Sequence, residues 1–133
     1  MKKRTVKCPI CGAHATLRPT AYVYGDADKT AGFLYVCDRY PRCDSYVGAH
    51  RKTLAPMGTL ADGNLRHKRI LAHKSFDRLW RSGLMTKWQA YKWMQAKFGL
   101  NSEQAHIAKF SAYMCDQLIA ACDRIPALEK PAA

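Results

Sequence analysis

Acidic residues are scarce in this chain: ten Asp and Glu stand against 22 Lys and Arg in 133 residues, a formal charge of +12. Such a surface repels itself unless a polyanion offsets it, so nucleic acid is the partner class that the charge favours. Long apolar runs are missing as well. No stretch approaches the roughly 18 to 20 residues of a spanning helix. The basic start Met1-Lys2-Lys3-Arg4 leads to Cys8 without the apolar segment of a secretory signal. The expected setting is cytoplasmic, with no membrane partner. Catalytic patterns are also lacking: there is no Gly-rich phosphate loop, no Ser/His/Asp arrangement and no clustered acidic pair to hold magnesium. A non-enzymatic role is the expectation. With 48% hydrophobic and 24% charged residues, the chain has the composition of a folded globular protein.

Cysteine, by contrast, is plentiful. Six cysteines in a chain without an export signal point to metal or buried thiols rather than a disulfide framework. Cys8-Pro9-Ile10-Cys11-Gly12 has the form of a zinc knuckle, in which Gly12 gives the backbone the freedom to turn its amides toward sulfur. The second pair, Cys37-Asp38-Arg39-Tyr40-Pro41-Arg42-Cys43, has a five-residue gap, longer than the usual two to four. Cys8, Cys11, Cys37 and Cys43 are the predicted ligands of one structural zinc ion. His14 or His50 could replace one cysteine, although four cysteines fit the spacing better. A dithiol redox pair would need a βαβ setting that Gly12-Ala13-His14-Ala15 does not offer. Cys115 and Cys122, seven apart on an apolar helical stripe, read as buried thiols; a second metal there would need further ligands, with His106 nearest.

Composition changes near residue 58, after the Pro- and Gly-punctuated segment Thr53-Leu54-Ala55-Pro56-Met57-Gly58. The predicted architecture is α+β: a three-stranded zinc ribbon over 1–58 and a bundle of three to four short helices over 59–133. Strands are expected over 15–24, 32–37 and about 45–48, the first two joined by a turn-rich segment. Alternation gives each of those two an aromatic face, Tyr22 with Tyr24 and Phe33 with Tyr35. A long helix over 60–81 would place Leu65, Ala72, Phe76 and Leu79 on one stripe. Thr86 with Gln89 forms a capping box for a second helix that Gly99 stops, and Asn101 with Gln104 repeats the signal. A last helix over about 111–124 ends before Pro126. Trp80, Trp88 and Trp93 are expected in the bundle core.

The run Phe33-Leu34-Tyr35-Val36-Cys37-Asp38-Arg39-Tyr40-Pro41-Arg42-Cys43, with the Cys-Pro-Ile-Cys-Gly knuckle, resembles the C-terminal zinc ribbons of bacterial type IA topoisomerases. That resemblance implies contact with single-stranded DNA through the aromatic sheet face and the turn. Over its whole length the chain resembles a small family of zinc-finger-containing proteins of unknown function from bacteria and phages. That likeness rests on Ser75-Phe76-Asp77-Arg78-Leu79-Trp80, Ala90-Tyr91-Lys92-Trp93 and Ala105-His106-Ile107-Ala108-Lys109-Phe110 after the ribbon.

Single-strand binders combine phosphate-tracking cations with aromatic faces on which bases stack. The candidate contacts on the ribbon are Tyr22, Tyr24, Phe33, Tyr35 and Tyr40, with Arg18, Arg39, Arg42, Arg51 and Lys52 around them; the equal alternative is that this aromatic face packs against the helices and leaves the aliphatic face exposed. A second basic area comprises Arg66, Lys68 and Arg69, in a segment, residues 59–97, that holds nine Lys and Arg against two acids. The expected partner is nucleic acid, single-stranded by preference. The rival expectation is a protein partner docked on the helical part, such as a defence or nucleic-acid-processing protein that a phage-encoded chain would inhibit or recruit.

Overall fold

The computed structural model describes residues 6–25 and 32–126. The predicted turn-rich link lies almost wholly outside those residues. The chain divides into two compact units, Met1–Arg66 and His67–Ala133. Residues 59–66, grouped above with the helices, fall in the first unit.

The first unit is built on an antiparallel sheet of four strands in sequential order: β1 (Val6–Lys7), β2 (His14–Pro19), β3 (Phe33–Cys37) and β4 (Tyr46–Gly48). Alternation predicts three of these. The additional strand, β1, pairs Val6 with Ala15 and Lys7 with His14, and two residues are too few to show any periodicity. The register of β2 on β3 sets Ala15 opposite Cys37 and Leu17 opposite Tyr35. On β3 and β4, Tyr35 faces Val47.

β2 stops at Pro19, five residues short of the expected strand end. Ala21–Tyr24 instead forms a single helical turn, α1, in which Val23 and Tyr24 both donate to the Thr20 carbonyl. Proline has no amide to extend a ladder, and Thr20 beside it is already in the helical region of φ/ψ. Tyr22 and Tyr24 therefore lie off the sheet.

The core of this unit joins Tyr35, Val47, Ala49, Ala15 and Leu60 to the metal-site residues Cys8 and Cys37. Tyr35 is only 2% exposed, and its hydroxyl donates to the Leu54 carbonyl at 2.5 Å. Leu34 and Val36, on the other face of β3, are buried too. The uninterrupted apolar run is that of a strand covered on both sides. The expected aromatic sheet face is thus corrected: Tyr35 belongs to the core, whereas Phe33 at the strand's end is 45% exposed.

The helices follow their local signals closely. α2 (Gly63–Arg81) starts where the Asp62 carboxylate accepts the Leu65 amide, and its stripe of Leu65, Ala72, Phe76 and Leu79 is buried. α3 (Lys87–Phe98) has both halves of the Thr86–Gln89 capping box and ends on Gly99 in the left-handed region. Asn101 and Gln104 make the same reciprocal bonds, yet no α-helix follows. Ala105 and Ile107 are buried on either side of exposed, extended His106, a period of two that a helix cannot supply, and only a 3₁₀ turn, Ile107–Lys109, forms. α4 (Ala112–Asp123), capped by Ser111, buries Cys115, Leu118 and Cys122.

α2 is fastened to α4 by its cations. Arg69 Nε donates to the Phe110 carbonyl, Lys68 pairs with Asp116 at 2.7 Å, and Arg78 donates to the Cys122 and Ile125 carbonyls at the far end. Lys68 and Arg69, early in α2, meet the residue before Ser111 and the first half of α4, and Arg78, late in α2, meets its end, so α2 and α4 run in the same direction. Arg78 thus adds a side-chain donor to the Cys122 carbonyl, which also accepts the Ile125 amide, and to the Ile125 carbonyl just beyond the helix.

Candidate metal centre and nucleic-acid surface

Two tight turns bring the four predicted ligands together. In the first, Gly12 donates to the Cys8 carbonyl and the Cys8 amide to Ala13; Gly12 sits at φ +80°, which a side chain would disfavour. In the second, the Tyr40 amide donates to Cys37 and the Cys43 amide to Arg39, closing the five-residue gap into a compact loop. The Sγ atoms of Cys8, Cys11, Cys37 and Cys43 all lie within 4.8 Å of one another. Cys8 and Cys43 are 3.7 Å apart at sulfur, and Cys11 and Cys37 3.4 Å. Zinc–sulfur bonds of about 2.3 Å in a tetrahedron require edges of about 3.8 Å, and a disulfide is about 2.05 Å. The four thiols thus fit one structural zinc ion, held by sulfur alone. Among the described residues no other group of three or more His, Cys, Asp and Glu is placed to hold a metal. Cys115 and Cys122 are buried in the helical unit, and His106 is exposed.

Burial pushes the Cys37 thiol up to about 12; at Cys8 burial acts the same way but is outweighed by bonds from the Cys11 and Ile10 amides and Ser45, which bring it to about 7. A cation would displace both protons, because only thiolates ligate zinc.

Residues around the ligands matter as well. Ser45, fully buried, places its hydroxyl 3.2 Å from Cys43 Sγ. Sequence reasoning misses this residue; the one available sign is a small hydroxyl two positions after a ligand. Asp38 accepts from the Thr16 hydroxyl at 2.6 Å and its amide donates to the His14 carbonyl, which anchors the second turn to β2. Asp44 accepts from the Gly63 amide, the first of α2, and faces Arg66 at 3.4 Å. Arg66 also donates to the carbonyls of Asp44 and Ala61 and lies 3.9 Å over the Tyr46 ring.

Part of the aromatic and basic set of the ribbon meets the second turn at Tyr40, and part meets β4 at Tyr46. Arg18 lies 4.8 Å from the centre of the Tyr22 ring, and Tyr22 is 5.9 Å from Tyr40. Tyr24 meets Tyr46 edge to face at 5.9 Å. Tyr22 and Tyr24 remain 47% and 53% exposed. Arg39 and Arg42 are exposed and, with Cys11 and Cys43, line an open cleft of about 530 Å³. Neither arginine has an ion pair among the described residues. Lys52 is exposed and lies on the Tyr35-capped loop.

The expected basic area on α2 is corrected in the same terms. Arg69 is 9% exposed and engaged with Phe110, Lys68 is paired with Asp116, and Arg66 is engaged with Asp44 and Tyr46. Arg66 and Arg69 are thus taken up by contacts within the fold, and Lys68 is held in an exposed pair with Asp116. Trp88 departs from expectation in the opposite sense: it is 69% exposed, whereas Trp80 and Trp93 are half-buried.

No helix is long and apolar enough to cross a membrane among the described residues. No curated protein and no solved structure matches the chain. Residues 4–125 match the family described as a zinc-finger-containing domain, a span that takes in all four ligands and the helices, and the chain belongs to that family.

Proposed function

We propose that this protein binds single-stranded nucleic acid, without catalysis, through the arginine and tyrosine side chains around its zinc turn. The observation that carries the reading is the cleft beside the cysteines, where Arg39 and Arg42 stand exposed and, among the described residues, without ion pairs. A cation held near the surface with no internal anion is available to phosphate, and two on one rigid, metal-stapled turn match a phosphate run without loss of much ordering entropy. Tyr22, tilted against Tyr40 and under Arg18, offers a half-open ring beside them. Bases stack on such rings with little regard to sequence. The resemblance of the Cys37–Cys43 turn to topoisomerase ribbons supports the same surface.

The test is binding of a single-stranded oligonucleotide across a salt series. Changing Arg39→Gln and Arg42→Gln together should weaken binding at every sequence and flatten the slope of log affinity on log salt by about 1.4, roughly 0.7 for each lost phosphate contact. Unchanged affinity and slope, with zinc content intact, would overturn the reading.

A further inference from the structure

The helical unit carries as large a surplus of charge as the ribbon, eleven Lys and Arg against five Asp and Glu in each. Several of its cations are occupied by Asp116 or by the carbonyls of α4, as described above. Others collect at one corner, where α2 ends and α3 begins. Trp80, near the end of α2, has the Arg81 guanidinium and the Lys87 ammonium each 5.2 Å from its ring centre. Its indole N–H donates to Asp77 at 3.3 Å, the one acid in that stretch, which also pairs with Arg81 at 3.9 Å. Trp88, on the first turn of α3, has Lys92 Nζ 5.5 Å from its ring centre. The Thr86–Gln89 capping box fixes that first turn, so Lys87 and Trp88 are held in place by the backbone.

Trp88 is 69% exposed, so one cation cannot cover its ring. An indole left in water forgoes burial that the fold could have supplied, and its exposed neighbours are the polar Thr86, Lys87, Gln89 and Lys92. A lipid surface or an apolar protein hot spot would call for bulky apolar neighbours beside the tryptophan. Indole faces interleaved with cations, on a locally basic surface, complement a partner that offers flat rings and regularly spaced anions together.

We infer that the Trp80–Trp88 corner of the helical unit is a second single-stranded nucleic-acid contact, with a base stacked on Trp88 and phosphates met by Lys87 and Lys92. The inference rests on nucleic acid being the partner but not on the ribbon surface.

The full zinc-loaded chain with an unlabelled oligothymidylate tests it through tryptophan emission and affinity. Oligothymidylate should quench the wild-type emission, and Trp88→Ala should remove most of that quenching. The same change should lower affinity by about 5- to 150-fold, the span expected of one stacked base, with the salt slope unchanged. Lys87→Gln with Lys92→Gln should reduce the slope by about 1.4 instead. Because Trp88 is exposed, zinc content and helical circular dichroism should stay at wild-type values in all variants. Binding that is intact in Trp88→Ala, with no quenching in the wild type, overturns the inference and leaves the ribbon reading standing. Quenching that persists in the Arg39→Gln, Arg42→Gln protein at undiminished affinity overturns the ribbon reading and supports this corner. Quenching by anionic lipid vesicles or polyglutamate, but not by oligothymidylate, would assign the corner to another partner and overturn it.

Discussion

Tyr35 distinguishes a stacking ribbon from a packed one. Its ring is in the core and its hydroxyl bonds the carbonyl of Leu54, a non-glycine residue at φ +59°. Left-handed leucine is disfavoured, so the loop depends on such bonds: the Leu54 amide donates to His50, and the His50 amide to Ala55. Tyr35→Phe removes one hydrogen bond and leaves a half-buried carbonyl without its partner, a loss of about 1 kcal/mol. In a unit of this size that corresponds to a fall of about 4 to 8 °C in Tm. Tyr35→Ala also empties the space of the ring and should cost about 3 to 5 kcal/mol. Thermal and denaturant unfolding with saturating zinc would measure both, and hydrogen exchange in Tyr35→Phe should rise first at residues 50–55. An exposed stacking tyrosine would behave differently, with stability within about 0.5 kcal/mol of wild type and oligonucleotide affinity reduced. If Tyr35→Phe melts with the wild type, or Tyr35→Ala keeps its stability while losing oligonucleotide affinity, the assignment of Tyr35 to the core is wrong.

Metal analysis should find about one zinc per chain, lost in Cys37→Ser and unchanged when Cys115 and Cys122 both become Ala; since structural zinc contributes roughly 10 to 16 kcal/mol in finger peptides, Cys37→Ser should also unfold the ribbon. Arg69→Met should lower the unfolding midpoint by the equivalent of about 1 to 3 kcal/mol, by orphaning the Phe110 carbonyl, and leave the salt slope of oligonucleotide binding as it was. A flattened slope in that variant would return Arg69 to the nucleic-acid surface.

Features set by a few neighbouring residues were legible in the sequence. Thr86, Gln89 and Gly99 bound a helix through bonds that span three or four positions, and the structure contains each of them. The zinc ligands were legible because their chemistry tolerates so few residue types. What was not legible depends on contacts across the chain. Tyr35 and Leu34 alternate as a two-faced strand should, but whether one face or both are covered is decided by residues far away in sequence. The cations of α2 look alike in the sequence; their partners, Asp44, Phe110, Asp116, Cys122 and Ile125, lie 22 to 48 positions away. Asn101 and Gln104 show the limit of a local signal, since the cap forms and the burial of Ala105 and Ile107 then takes the chain elsewhere.

The first turn of α2 has a consequence for how such a protein can be divided. Ala61 exchanges two 3.2 Å backbone bonds with Tyr46, Gly63 rests on Asp44, and Arg66 reaches back to both Asp44 and Ala61. Asp44 in turn follows the last cysteine of the metal site. A cut at residue 58, where composition changes, would therefore strip the knuckle of the segment that holds its second loop. It would also leave the helix without the carboxylate that receives its leading amide. The two parts are not interchangeable cassettes. A graft that carries the metal turn to another scaffold has to bring residues 59–66 with it, and a helical fragment begun at residue 59 needs a substitute acceptor for Gly63.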